Sequence, residues 1–509
     1  MAQGEKRYVE QLQGASRFNR RAIKVEEAQR RILHACVHGR VEHVPIGQAI
    51  GRRLAASLTA TNDWPPFARS GLDGYAVLSA DTVGASPSQP VQLAVIDQVA
   101  AGELTKRSVH TGTAVRIMTG AAVPEGADAV VMLEQTVALE RDGQAWVGIK
   151  QSAGAGQNVA RAGQEFHEGD AIAVRGALVR PGHIALLATF GYEKVPVYAR
   201  PKVGILSTGS ELLPVGADLA PGLIRDSNSV MIAALVKEAG GEAYTIGRIT
   251  DDLAAVREAL FQAADEYDLL LTTGGVSVGD YDVMAAFMRE LEYGGEEGSA
   301  VLTRTSSSED ATILLHPRTE IGEAADAIAR ANEGQGEGTA REGQEARDAS
   351  DCTKMPKSGA ETEGGRIGDS GTSLLFNKVA MRPGSPTSAG LVGGKPLIAL
   401  SGNPGACYVG FELFARPVLK RLQGVSEAAA RPRTTTATLT ADFDKGSPHE
   451  RFVRTRLFVK DGIQFADPLA FNKSSMMASL PDSDGFICIP AGPSGASAGS
   501  LVEVIVLQD

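Results

Sequence analysis

Apolar and polar positions change period several times along the chain, and each change marks a new element. From Val203 onward, short apolar runs alternate with helical repeats. VGILSTGSEL reads as a buried strand entering a polar turn, and SVMIAALVKEAGG as an amphipathic helix stopped by Gly240-Gly241. EAYTIGRIT reads as a strand. DDLAAVREALFQAADEY reads as a helix with Asp251 or Asp252 at its N-cap. DLLLTTGG is a third strand, broken by a glycine turn. A βαβαβ succession predicts a parallel sheet covered by helices on both faces, with ligands at the carboxyl edge of its strands.

The rest of the chain reads differently. VEEAQRRILHACV, at 25–37, has helical spacing, and GQAIGRRLAASL suggests a second helix after a connector. Over 61–154 the alternations of PVQLAVIDQVA and AWVGIKQ predict a small β domain. A helix is expected near Gly182–Gly191, followed by a hinge at PVYARPK. LLFNKVAMRPG and KPLIALSGNPG resume the sheet, ACYVGFELFARPVLKRL is an apolar helix, and TTTATLTADF and LVEVIVL belong to a closing β module. The resulting layout has a flexible 1–22, a mixed N-terminal/linker domain from 23–60 and 155–198, the small β domain at 61–154, an α/β domain at 199–428, and a C-terminal β-barrel-like domain at 430–509. Within 291–371 the Gly/Glu/Ser-rich stretches predict a disordered insertion.

Composition narrows the function. The chain of 509 residues is 43% hydrophobic, enough for several cores. Its net charge of −11 argues against nucleic acid as a partner. Segment 296–369 alone holds 16 acids against 8 bases, so most of the excess lies in the insertion. Cys36, Cys352, Cys407 and Cys488 are scattered, which argues against structural zinc or a disulfide framework. MAQGEKRYVEQLQ lacks an apolar core, no run approaches 18 apolar residues, and a cytoplasmic location away from membranes is expected.

The candidate chemistry sits in four turns. WPPFARSGLDGYAV carries Ser70 and Asp73, VRIMTGAAVPEGADAVV carries Thr119 and Gly120, and LSTGSEL carries Ser207, Thr208 and Glu211. TTGGVSVGDYD carries Gly274, Gly275, Ser277, Gly279, Asp280 and Asp282. Glycines let a phosphate approach the backbone, and nearby carboxylates would repel it unless a divalent cation sits between them. Taken singly, each turn also reads as a cap or a solvated charge.

Six motifs in order closely resemble the molybdopterin molybdenumtransferase family, the MoeA-like proteins and the E domain of gephyrin: PPFxxSxxDGYAV at 65–77, RIMTGAxxPxGADAVV at 116–131, STGxEL at 207–212, TTGGVSVGxxD at 272–282, VAMRPG at 379–384 and SGNPGA at 401–406. The resemblance implies an elongated four-domain homodimer. It implies transfer of molybdenum from molybdate to adenylated molybdopterin, with Mg2+-dependent release of AMP, as the closing step of molybdenum cofactor biosynthesis. A molybdopterin adenylyltransferase and apo-molybdoenzymes are the partners such a role suggests. Carried over by motif, Asp73, Thr119, Glu211, Asp251, Asp282, Lys378 and Arg382 are the catalytic candidates, with Glu211, Asp251 and Asp282 on the metal. Ser70, Gly120, Ser207, Thr208, Gly274, Gly275, Ser277, Gly279, Pro383, Ser401, Gly402, Asn403, Pro404, Arg454 and Ser474 are the substrate-binding candidates. Asp73 would act across the dimer interface. The chain departs from the family at Ser385, where a lysine is common, at Gly405-Ala406, where a serine often follows GNPV, and at Gln164-Glu165. Two alternatives share the TTGGVSVG turn or the fold: an adenylyltransferase or nucleotide-pyrophosphate hydrolase on the same α/β domain, and a catalytically weakened scaffold.

Overall fold

The computed structural model of the chain describes residues 21–249, 252–276, 282–297, 371–443, 446–470 and 473–507. Asp251, Ser277, Gly279, Asp280 and most of the 291–371 segment therefore lie outside the described residues, as does most of the N-terminal tail expected at 1–22. The chain forms two compact units. One takes in the described residues up to Glu42 and from Tyr198 on, and the other is His43–Val197. The second boundary falls inside PVYARPK.

The larger unit is built on a six-stranded sheet. Lys202–Thr208 lies between Glu242–Ile249 and Leu269–Thr273, Lys395–Leu400 follows, and these four run parallel. Side chains alternate between two cores, as a pleat requires. Val203, Ile205, Leu269, Leu271, Ile398 and Leu400 meet the helix Ser227–Glu238 and the helical stretch over 404–422. Leu206, Leu270, Leu397 and Ala399 meet the helices Leu253–Glu266 and Val283–Glu297. Asp226 caps the first of these helices by accepting from Ser229 N, and Asp252 caps the second by accepting from Ala254 N. The far edge of the sheet is antiparallel, formed by Ser388–Val392 and Ser373–Phe376. Gly393 and Gly394, with φ of 55° and 76°, turn Val392 directly onto Lys395. A two-residue turn of this kind can join only antiparallel neighbours.

The helix Val25–Ala35 packs into the first of these cores through Val25, Ala28, Ile32 and Leu33. It thus belongs with the α/β helices and not with the linker residues to which the sequence layout assigned it. Its apolar stripe is wide enough to be covered, and the 404–422 stretch offers the apolar surface that covers it.

The C-terminal β module is a closed barrel of five strands. Glu450–Lys460 pairs with Ile463–Pro468, then come Thr434–Leu439, Leu501–Val506 and Gly485–Ile489, which pairs back onto Glu450–Lys460. Closure leaves no open edge among these strands. The short strand Met381–Arg382 joins the barrel in parallel, opposite Glu450 and Arg451. Phe452 and Phe486 reach out of the barrel into the α/β core.

The smaller unit carries a six-stranded sheet in the order Ala129–Met132, Gly74–Val77, Thr113–Ile117, Val91–Val99, Gln144–Ile149 and Thr136–Arg141. It has a core on each face, one around Tyr75, Val77 and Val147 and the other around Ala76, Val115 and Ile117. A third core gathers Leu54, Leu58, Ile172, Leu187 and Val195, with the helix Pro181–Thr189. The helix expected over GQAIGRRLAASL does not form. Gly51 takes φ 73°, and Arg53 and Leu54 bridge to Leu178 and Val197, so tertiary pairing overrides helical spacing there.

Candidate functional site

From Lys202–Thr208 the chain moves outward to Glu242–Ile249 and then returns to the other side at Leu269–Thr273. The strand order reverses between Thr208 and Thr273, and a crevice opens at such a switch point. A cleft of about 900 Å3 lies over it, between the sheet edge and the barrel. Its floor is made by turns that only glycine permits. A Cβ on Gly274, at φ 94°, would lie 2.3 Å from the carbonyl oxygen of Thr208, and one on Gly275 would lie 2.8 Å from the Thr208 hydroxyl.

Two carboxylates enter this cleft. Glu211 folds back over Gly209, where a Cβ would lie 2.5 Å from Glu211 Oε2. Asp282 immediately precedes the helix Val283–Glu297, and its carbonyl accepts from Ala286 N at 3.1 Å. Arg382, Arg451 and Lys473 also line the cleft and supply positive charge.

The SGNP turn closes the cleft from below. Ser401, Gly402 and Asn403 line it, and Pro404 opens the following helix. Gly405 N donates to Ser474 O at 2.9 Å, which ties the turn to the barrel loop. Arg454 is 2% exposed, and its Nη2 donates to Lys473 O at 3.2 Å. Burial pulls its pKa below the ordinary arginine value. A Cβ on Gly405 would point at Arg454 Nη1 from 2.6 Å, so the bare glycine makes room for the buried cation. Ser385 lines the cleft, but its hydroxyl donates to Val379 O at 2.8 Å. Pro383 lines the cleft too, whereas Lys378 is not among the lining residues and accepts through its backbone from Ile23 N at 3.1 Å. Ser207 is wholly buried in its strand, behind the cleft.

The remaining candidates belong to the smaller unit. Thr119 donates to Asp73 Oδ1 from both its backbone N–H and its hydroxyl, each at 2.6 Å. These two donors, with Arg116 nearby, hold the Asp73 carboxyl below the ordinary aspartate value. Ser70 and Gly120 brace the same turn, with Gly120 N donating to Ser70 O at 2.8 Å and Ser70 N to Ala121 O at 2.9 Å. The structure therefore brings Ser70, Asp73, Thr119 and Gly120 together in one unit, and Thr208, Glu211, Gly274, Gly275, Asp282, Arg382, Pro383, Ser401, Gly402, Asn403 and Ser474 together in the other.

Sequence reasoning passed over Asn228, Arg451 and Lys473. Asn228 is a buried residue at the start of the helix Ser227–Glu238, and there Asp-Ser-Asn reads simply as capping chemistry. Arg451 and Lys473 are ordinary surface residues by pattern and become part of the cleft only because the barrel docks there.

Comparison with known proteins gives a consistent result. The family described as "MoeA N-terminal region (domain I and II)" matches residues 23–191, "Probable molybdopterin binding domain" matches 204–332, and "MoeA C-terminal region (domain IV)" matches 436–507. A molybdopterin molybdenumtransferase of Bacillus subtilis is 36% identical over 96% of this chain and 95% of its own length. One from Staphylococcus epidermidis is 33% identical over 96% of each. The crystal structure of a molybdopterin biosynthesis MoeA protein from Pyrococcus horikoshii superposes with a TM-score of 0.70 at 26% identity, covering 96% of this chain and 100% of its own.

Proposed function

The chain belongs to the MoeA family of molybdopterin molybdenumtransferases, enzymes of molybdenum cofactor biosynthesis, and on that premise we propose that its cleft binds adenylated molybdopterin and inserts molybdenum with release of AMP. The observation that carries the reading is the pairing of Glu211 and Asp282 in one cleft with Arg382 and Lys473. A pterin nucleotide and a molybdate ion are both anions, and a cleft holding cations and carboxylates suits them only if a further cation shields the acids.

Mg2+ fits that need, since it is commonly held by one or two carboxylates together with substrate phosphate. Glu211 and Asp282, which line the cleft, would hold the ion together with Asp251, which lies outside the described residues; no group of three or more His, Cys, Asp or Glu suited to a metal occurs among the described residues. Bound there, the ion would offset charge on the phosphoanhydride as it is hydrolysed.

The chain's own residues do the rest. Gly274 and Gly275 leave the backbone open to a phosphate. Arg382, Lys473 and Ser474 hold the oxyanion substrate, molybdate, beside the pterin, and the buried Arg454 adds positive charge behind them. Water attacks phosphorus, the anhydride bond breaks, AMP departs, and the attacking water loses a proton. Asp73, kept ionised and oriented by Thr119, is the acceptor for that proton. It is supplied by the second subunit of a homodimer, and Ser70 and Gly120 fix its turn. Lys378 adds to the positive field from outside the cleft. A cytoplasmic setting, with an adenylyltransferase as donor and apo-molybdoenzymes as acceptors, completes the reading. No helix among the described residues is long and apolar enough to cross a membrane.

The test is AMP release from adenylated molybdopterin. Release that requires both molybdate and Mg2+, and is lost in Glu211→Gln and Asp282→Asn, is the expected result. Undiminished release by both folded variants would refute the assignment of the cleft.

A further inference from the structure

Asn228 sits at the second position of the helix Ser227–Glu238, which Asp226 already caps, so the helix does not need it. Its side chain is buried, at 8% exposure. Its Nδ2 donates to two separate places: the hydroxyl of Thr273 at 2.9 Å and the carbonyl of Gly402 at 2.8 Å. Gly402 O can only accept, which fixes the orientation of the amide. The Thr273 hydroxyl in turn donates to Ser401 O at 3.3 Å. One amide thus joins three elements: a helix start, the end of the central strand Leu269–Thr273, and the SGNP turn.

Two of those elements carry walls of the cleft. Gly274 and Gly275 directly follow Thr273, and Ser401, Gly402 and Asn403 line the cleft from the other turn. A Cβ added to Gly402 would make ordinary contact with Gly274 Cα at 3.4 Å, so the two turns face each other across about the space of one methyl group. Asn228 Oδ1 and the Ser207 hydroxyl are buried without a hydrogen-bond partner beneath them. Unmet polar atoms of this kind are costly and are retained where a specific arrangement is needed.

We infer that Asn228 is a positioning residue for substrate: its two donated hydrogen bonds set the spacing between the TTGG and SGNP turns, and so the width of the phosphate-binding floor. The inference rests on the cleft being the substrate site. A residue that merely fills space would tolerate an isosteric carboxylate better than a truncation. A clamp behaves in the opposite way, because a carboxylate turns an acceptor toward Gly402 O where a donor is required.

The experiment measures KM and kcat for AMP release from adenylated molybdopterin by wild type, Asn228→Ala, Asn228→Asp and Thr273→Val, with the melting temperature of each. The expected result is a KM raised about tenfold in Asn228→Ala, a larger rise in Asn228→Asp, and a smaller one in Thr273→Val, each out of proportion to any change in melting temperature. A KM unchanged in Asn228→Ala, or an Asn228→Asp variant closer to wild type than the alanine, overturns the clamp while leaving the site intact. A wild-type protein that releases no AMP overturns the site and the clamp together.

Discussion

The two units hold their carboxylates in different ways. In the smaller unit Asp73 is governed locally: Thr119, on a neighbouring turn, donates two hydrogen bonds to one oxygen and keeps the group ionised and aimed. In the larger unit Glu211 and Asp282 come from separate turns and share a cleft with Arg382, Arg451 and Lys473. The first arrangement fixes the direction of one group. The second assembles opposite charges around a space that a ligand must fill. A site of the first kind is preset, whereas a site of the second kind depends on how well its walls are held apart.

That contrast can be broken most severely at the cleft. Asp282→Asn is expected to lower the rate of AMP release by about 100-fold or more, the range seen when a group stabilising developing charge is removed. Adding a chelator to the wild type should have a comparable effect, and steady-state kinetics read both. Next comes the wall that separates cleft from barrel. Gly405→Val would force side-chain atoms against Arg454 Nη1, Lys473 O and Ser474 O, and should destabilise the protein by about 1–3 kcal/mol in denaturant unfolding, as overpacking does. Little or no loss would mean that the turn and barrel loop yield easily.

The smallest expected effect sharpens the other side of the comparison. Thr119→Val removes the hydroxyl donor and keeps the backbone N–H, so the Asp73 pKa should rise toward its ordinary value. A carboxyl with a lowered folded pKa favours the folded, bonded arrangement at high pH and loses that advantage as pH falls through the folded pKa. The acid limb of the pH–rate profile should therefore move to higher pH in the variant, and NMR titration of Asp73 should move with it. An unmoved limb would show that the hydroxyl does not set the protonation of Asp73.

Much of this was legible in the chain. The βαβαβ succession at 203–273, its glycine stops and a cap at Asp251 or Asp252 follow from periodicity and capping chemistry, and the structure gives the cap to Asp252. The acids at 211 and 282 follow from their places just beyond strand ends. The barrel-like module was expected, but not its strand order, because strands of one or two dozen residues' separation leave their pairing partners open. The antiparallel edge was missed although Gly393-Gly394 is a hairpin signal, since the preceding apolar run looks the same in either direction. The helix at 25–35 was placed in the wrong module because an amphipathic stripe says that it is covered but not by what. Asn228, Arg451 and Lys473 were invisible for a related reason: their roles come from elements far apart in sequence meeting at one edge.

Mixing Asp73→Asn and Asp282→Asn proteins after subunit exchange tests most directly that the two arrangements serve one reaction. Each variant alone should release almost no AMP. If each site takes Asp73 from one subunit and Asp282 from the other, every mixed dimer keeps one intact site, and random exchange should restore about a quarter of wild-type activity. A mixture of folded, freely exchanging dimers that stays as inactive as its parents would contradict a site shared between the two units of different subunits.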